Sequence, residues 1–267
     1  MTSFIPSNPI GRRILYEALH LWSGFNNYSA FNIGYGPVEN SIRDDLRFAR
    51  EPHQIQLYAE LIRFTRLTAQ DLHAGLLEVG IGGGGGLRYL KSRFTGARIT
   101  GVDNSVCAVG FARYRGVSAR LARADALPFR EAEFDCVICV DSFSIFPQRR
   151  FVAEARRILR DSGCLVIGDY VEGNAGAVLS QLENIVTGLF TIERFEDVTA
   201  GVLIALDADD DRKQKIISTL PGALRTTLAE TMSLAGSERH RNWKRGEMCY
   251  YMTVLRRKTD TNIDSNA

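Results

Sequence analysis

Six glycines fall within seven positions, Gly80 to Gly86, in the run LLEVGIGGGGGLRYL. An apolar run precedes them and a helical pattern follows, so they belong to a strand-to-helix turn. Bare backbone there lets a ligand approach closely, and the free amides at the start of the helix favour an anion or a nucleotide. Gly80, Gly82 and Gly85 have the spacing G-x-G-x-x-G; Glu78, Gly80, Gly82 and Gly84 have the spacing E-x-G-x-G-x-G. Asp103 ends the next apolar run, 19 residues after Gly84. A carboxylate at that place can accept two ribose hydroxyl hydrogens, with the adjacent Asn104 beside it. The plainer reading of Asp103 is a cap on the helix that follows.

The first spacing suits a nicotinamide dinucleotide and the second suits S-adenosylmethionine (SAM); the glycines alone do not separate them. Asp125, in RADALPFREAEFDCVICVD, favours the second. An acid there can accept from an adenine amino group, while the neighbouring amide of Ala126 can reach a ring nitrogen. A nicotinamide site requires no such acid, and no second nucleotide-like half follows the fourth strand. A nicotinamide oxidoreductase is therefore the weaker alternative. Glu78 interrupts an apolar strand, where a charge is costly unless hydrogen-bonded. A structural salt bridge would explain it equally simply.

These residues need a sheet to hold them. Runs at 75–80, 97–103, 117–123, 134–141 and 163–170 read as strands, and runs at 85–94, 105–115 and 148–160 as the helices between them. Apolar strands separated by amphipathic helices indicate a parallel sheet covered on both faces. Helices are expected at 8–22, with Asn8 as N-cap and Pro9 in the first turn, and at 52–67. A polar, aromatic loop, NNYSAFNIGYGPVEN, joins them. After Tyr170 come a helix at 177–189, a strand at 190–199, a helical region broken at Pro221-Gly222, and a strand at 247–257. The expected division is a helical lid at 1–70, a core at 71–205, a helical cap at 206–240, the last core strand at 241–257 and a disordered tail at 258–267.

With 267 residues, 45% hydrophobic and 24% charged, the chain can build a large α/β core. A formal net charge of +2 makes no case for nucleic acid. No apolar run reaches the roughly 18 residues of a membrane span, and no secretory signal is seen at the start. Five scattered cysteines fit a reducing cytoplasm. Cys136 and Cys139 are three apart on a strand and so point to opposite faces, which argues for core packing and against a metal site. On the helix after strand four, Phe151, Val152, Ala155, Ile158 and Leu159 form a buried stripe, with the arginines on a solvated face.

LLEVGIGGGGGLRYL, GVDNS, RADALPF and FVAEARRILRDSGCLVIGDY together resemble the successive motifs of class I SAM-dependent methyltransferases, over residues 75–170. The resemblance implies a Rossmann-like sheet of seven strands, the last antiparallel, with a helical cap inserted before it. It assigns Glu78, Gly80, Gly82, Gly84, Asp103, Asn104, Asp125 and Ala126 to the cofactor. FNIGYGP, QIQLY, the extra Gly85-Gly86, FEDVTAGVLIAL and LAGSERHRNWKRGEMCYY are similar to the phthiotriol/phenolphthiotriol dimycocerosates methyltransferase group. That likeness implies a small or lipid-like acceptor, such as a polyketide or terpene, methylated on oxygen or carbon. Weak membrane contact and a homodimer are compatible with it.

In VDSFSIFP, Asp141 and Phe146-Pro147 match that group's acid and aromatic-Pro, but Ser144 stands where a His is usual. A serine without a partner is a poor base. Phe143, Ser144 and Phe146 are expected to line the acceptor pocket, with Asp141, His240 and His53 as candidate catalytic groups. Methyl transfer from a sulfonium is mostly alignment and water exclusion. Tyr35 and the N-terminal helices are expected to close over the cofactor, and residues 206–240 to shape the acceptor side. The missing His keeps a second reading open: a SAM-binding protein of this fold that transfers no methyl, as a cyclase or a ligand-binding regulator.

Overall fold

The apolar runs pair into a seven-stranded sheet in a computed structural model that describes residues 9–220 and 222–258. The strands are β1 (Leu76–Val79), β2 (Ile99–Asp103), β3 (Ser118–Leu121), β4 (Phe134–Val140), β5 (Leu159–Glu172), β6 (Phe190–Asp197) and β7 (Met248–Arg257), in the order β3-β2-β1-β4-β5-β7-β6. β1 to β5 run parallel; β7 lies antiparallel between β5 and β6. All of β1 and β2 is buried, as expected for parallel strands covered on both faces. The strand order reverses between β1 and β4, which opens a crevice beyond their carboxyl ends.

The helices are α1 (Pro9–Phe25), α2 (Asn40–Arg43), α3 (Pro52–Thr65), α4 (Gly85–Arg93), α5 (Val106–Tyr114), α6 (Gln148–Ile158), α7 (Ala175–Val186), α8 (Thr199–Ser218), α9 (Gly222–Thr231) and α10 (Glu238–Lys244). Local chemistry sets several starts. The Ser105 hydroxyl accepts from the Ala108 amide at α5, Asn174 caps α7, and Pro52 opens α3. The stripe of α6 is buried as its periodicity requires. Cys136 belongs to the apolar cluster on one face of the sheet and Cys139 to the cluster on the other.

Some boundaries differ from the sequence reading. β5 begins at Leu159, directly at the end of α6, because Phe134 of β4 pairs with it ahead of a bulge. The helical insertion begins at Thr199 and runs to Lys244, so it is longer than 206–240. The Val198 amide donates to the Tyr250 carbonyl and the Thr199 hydroxyl accepts from the Tyr250 amide, which ends β6 and starts α8 together. Asn8, Pro221 and residues 259–267 of the expected tail lie outside the described residues.

Candidate active site

The glycines after β1 divide by what lies behind them. Gly80, Gly82 and Gly84 have φ of +84°, +50° and +83°, a region that favours glycine. A Cβ on Gly82 would meet nothing nearer than the Phe31 ring at 3.6 Å, so this side of the turn is open. Gly85 and Gly86 are closed off. A Cβ on Gly85 would lie 2.6 Å from the Ser29 hydroxyl, and one on Gly86 would lie 1.9 Å from the Tyr58 ring. The extra glycine pair therefore makes room for the loop after α1 and for a tyrosine of α3.

That tyrosine reaches the acid of β1. The Tyr58 hydroxyl donates to Glu78 Oε1, while Glu78 Oε2 is buried with no partner among the described residues. Burial pushes the Glu78 carboxyl up to about 8. At the end of β2, Asp103 accepts from the Gly82 amide through Oδ2 and from the Ser105 amide through Oδ1, each at 2.9 Å. Each oxygen keeps a lone pair for a further donor. Asn104 beside it is exposed.

Over this acid sits His20 of α1. Its ring meets Phe31 edge-on at 5.2 Å, and its buried Nδ1 has no partner among the described residues. Burial pushes His20 down while the Asp103 carboxylate opposes that; burial pushes Asp103 up. One turn earlier, Glu17 accepts from the Ser105 hydroxyl and from the amides of Val106 and Cys107 at 2.8–3.1 Å, tying α1 to the start of α5.

The loop after α1 is gripped by charges from distant segments. Glu51 accepts from the amides of Ser29 and Ala30 and from the Ser29 hydroxyl. Asp141, with a φ of +50° at the end of β4, accepts from the Ile33 amide at 2.7 Å and from the Tyr250 hydroxyl at 2.6 Å. Burial, with Asp169 nearby, pushes Asp141 up to about 7. The Ile33 carbonyl accepts from Lys213 Nζ at 3.0 Å, and burial depresses that amine to about 8. Both backbone polar groups of one residue, Ile33, are thus held across the crevice.

Several expected residues are placed elsewhere. The Tyr35 ring lies against Gly201 of α8, where a Cβ would come within 2.1 Å of it; Phe31 and His20 are the side chains that flank Gly82. Phe143 is 1% exposed against Phe151 and belongs to the core, because the short helical turn at Phe143–Ile145 points it inward. Phe146 instead approaches Gly80. The Ser144 amide donates to Asp169 at 2.6 Å, and its hydroxyl lies 3.4 Å from the same carboxylate.

His53 Nδ1 is 3.1 Å from the Tyr35 carbonyl, which can only accept, and burial lowers its pKa. His240 Nε2 lies 3.9 Å from Asp207 of α8, a carboxylate that Lys244 also binds. No hydrogen bond or ion pair joins either histidine to Asp141 among the described residues, so the three do not form one catalytic group. Asp125 is bound by the Arg123 guanidinium through two 2.8 Å hydrogen bonds, which hold its carboxyl below the usual range, and the Ala126 amide donates to the Arg123 carbonyl. As at Asp103, each Asp125 oxygen keeps a lone pair for a further donor.

Tyr58, His20 and Lys213 were missed by sequence reading. The surplus glycine at Gly86 was the available signal for Tyr58, since a helical glycine often marks a close neighbour.

The site fits SAM. Gly82 offers an open cradle, Asp103 offers spare acceptor capacity, and Glu78 Oε2 and His20 Nδ1 are buried polar atoms awaiting partners.

Comparison with known proteins agrees. Residues 77–167 match the family model described as "Methyltransferase domain". The phthiotriol/phenolphthiotriol dimycocerosates methyltransferase of Mycobacterium tuberculosis is 30% identical over 183 residues, which cover 66% of this chain and 67% of that protein. A fatty-acid O-methyltransferase of Mycolicibacterium smegmatis is 36% identical over 122 residues, covering 44% and 43%. Among solved structures, the [4+2]-cyclase SpnF superposes with a TM-score of 0.69 at 20% identity, covering 92% of this chain and 95% of that one. At that identity the likeness speaks for the fold.

Proposed function

This chain belongs to the class I SAM-dependent methyltransferases, and we propose that it methylates an oxygen or carbon of a small, lipid-like natural product. The cofactor supplies a methyl group already activated on a sulfonium. Asp103 is assigned to the ribose hydroxyls, and Glu78 with His20 to the polar groups nearest the glycine turn. Asp141, Glu51 and Lys213 hold the loop of residues 29–36 over the crevice, which excludes water and aligns the acceptor. Asp141 acts here as a positioning residue.

The likeness to relatives named for lipid acceptors carries the acceptor class, and one partly exposed ring, Tyr170 at the end of β5, is backed by buried aromatic residues. Tyr170 packs against Trp243 at 5.8 Å and Tyr250 at 6.4 Å between ring centroids. The two mycobacterial relatives are named for lipid acceptors, which supports this reading. The test is S-adenosylhomocysteine formation with SAM and a panel of lipid, polyketide and terpene acceptors, beside peptide and RNA controls. Turnover with the controls alone would defeat the proposal.

We place the protein in the cytoplasm, where its five free cysteines stay reduced. No helix of the described residues is long and apolar enough to cross a membrane. Weak contact with a lipid surface is assigned to α1, which exposes Ile14, Leu21 and Phe25 on its outer face. Co-flotation with vesicles tests this; light scattering tests the competing occupant, a second copy of the chain.

A further inference from the structure

Arg239 differs from every other described basic side chain of the segment around α10. Arg241 pairs with Glu238, Lys244 with Asp207, and Arg245 with Glu247. Arg239 has no ion pair among the described residues. Its guanidinium makes one hydrogen bond, from Nη1 to the Tyr170 hydroxyl at 3.2 Å, and lies 5.8 Å from the centre of that ring. The placement is built. Trp243, four residues on and so on the same face of α10, is 1% exposed, packs against Tyr170 and donates to the Ser233 hydroxyl. The amides of Glu238 and Arg239 both donate to Glu230, which fixes the start of the helix.

Arg239 is partly buried and has no counter-ion among the described residues, so its remaining donors are free for an anion. Of the five N–H donors of a guanidinium, one is used, and the Tyr170 hydroxyl, accepting from Arg239, still has its own proton to donate. Tyr170 also connects the position to the reaction crevice. It stacks on Tyr250, whose hydroxyl donates to Asp141.

We propose that Arg239 and Tyr170 bind a carboxylate on the acceptor, so that the substrate is a lipid-like acid. This rests on the lipid-like acceptor class proposed above. A carboxylate matches a single guanidinium fork with one hydroxyl. A phosphate dianion matches less well, because the other basic groups nearby are spent: Lys213 is bound to the Ile33 carbonyl, and the rest of α10 is paired.

The test is equilibrium binding of dodecanoate, 1-dodecanol and dodecyl phosphate to protein saturated with S-adenosylhomocysteine, for wild type, Arg239→Gln, Arg239→Lys and Tyr170→Phe. Wild type should prefer dodecanoate over dodecanol by about 10-fold or more, the scale of one charge-assisted pair. Arg239→Gln should remove the preference, Arg239→Lys should keep part of it, and Tyr170→Phe should weaken dodecanoate alone; S-adenosylhomocysteine affinity should not change. Equal binding of dodecanoate and dodecanol by wild type, or a preference that survives Arg239→Gln, would overturn the proposal. Tighter binding of dodecyl phosphate would overturn the choice of carboxylate. If none of the three binds while S-adenosylhomocysteine does, the lipid-like acceptor class fails as well. Should Arg239→Gln not fold, Tyr170→Phe and Arg239→Lys decide the matter.

Discussion

Gly86 has no side chain because Tyr58 fills the space, and Tyr58 is there to reach Glu78. Gly86→Ala should therefore cost on the order of 1–3 kcal/mol, the range for overpacking a filled site. Urea denaturation measures this, and S-adenosylhomocysteine affinity should fall with it. Tyr58→Phe removes the only described partner of a buried carboxyl that titrates at about 8. Below that pH the loss is one hydrogen bond of a neutral acid, on the order of 1 kcal/mol. Above it an ionised carboxylate is left buried and unpaired, so the destabilisation should be larger at pH 9 than at pH 6. A pH-independent effect would argue that Glu78 is already ionised in the native protein.

At the scale of elements, α1 and the loop after it form a cover held by polar contacts as well as by the packing of Leu19, Trp22 and Tyr28 on α8 and α9. Glu17 serves the start of α5, and Glu51, Asp141 and Lys213 serve the loop. Glu17→Ala should cost about 1 kcal/mol, as for loss of a helix cap with a favourable charge. Hydrogen exchange should then quicken in α1 before it does in the sheet, and S-adenosylhomocysteine affinity should drop. Unchanged exchange in α1 would mean that apolar packing, such as Leu19 and Trp22 on the cluster around Ile217 and Leu228, holds the helix by itself.

At the scale of the whole molecule, the described residues include three buried acids at or near the carboxyl ends of β1, β4 and β5. Glu78 titrates at about 8, Asp141 at about 7 and Asp169 at about 6, against ordinary values of 4.5 and 3.8. Their folded pKa values are raised, so the native state holds protons that the unfolded chain has released. Their contribution is fully present below about pH 4 and is lost as pH rises to about 8. Lys213 has the opposite sign: depressed to about 8 from 10.5, it adds stability as pH rises between those values. The melting temperature of the cofactor-free protein should fall between pH 6 and 8. Asp141→Asn and Glu78→Gln should each flatten that slope, and a slope unchanged in both variants would show that other groups govern it.

Residue order by itself determined the sheet, the turn after β1 and Asp103 at the end of β2. These rest on local properties: alternation of apolar strands with amphipathic helices, the φ demands at Gly80, Gly82 and Gly84, and a matched spacing. Tertiary structure alone decided which side chains meet. Asp141 grips the Ile33 amide across 108 residues, Lys213 holds the carbonyl of the same residue from 180 residues away, and His20 stands over Asp103. Such contacts depend on how helices from both ends of the chain pack over one crevice. A periodicity gives the buried face of each helix but not the partner it faces, so Tyr58, His20 and Arg239 became legible only once α1, α3 and α10 were packed over the crevice.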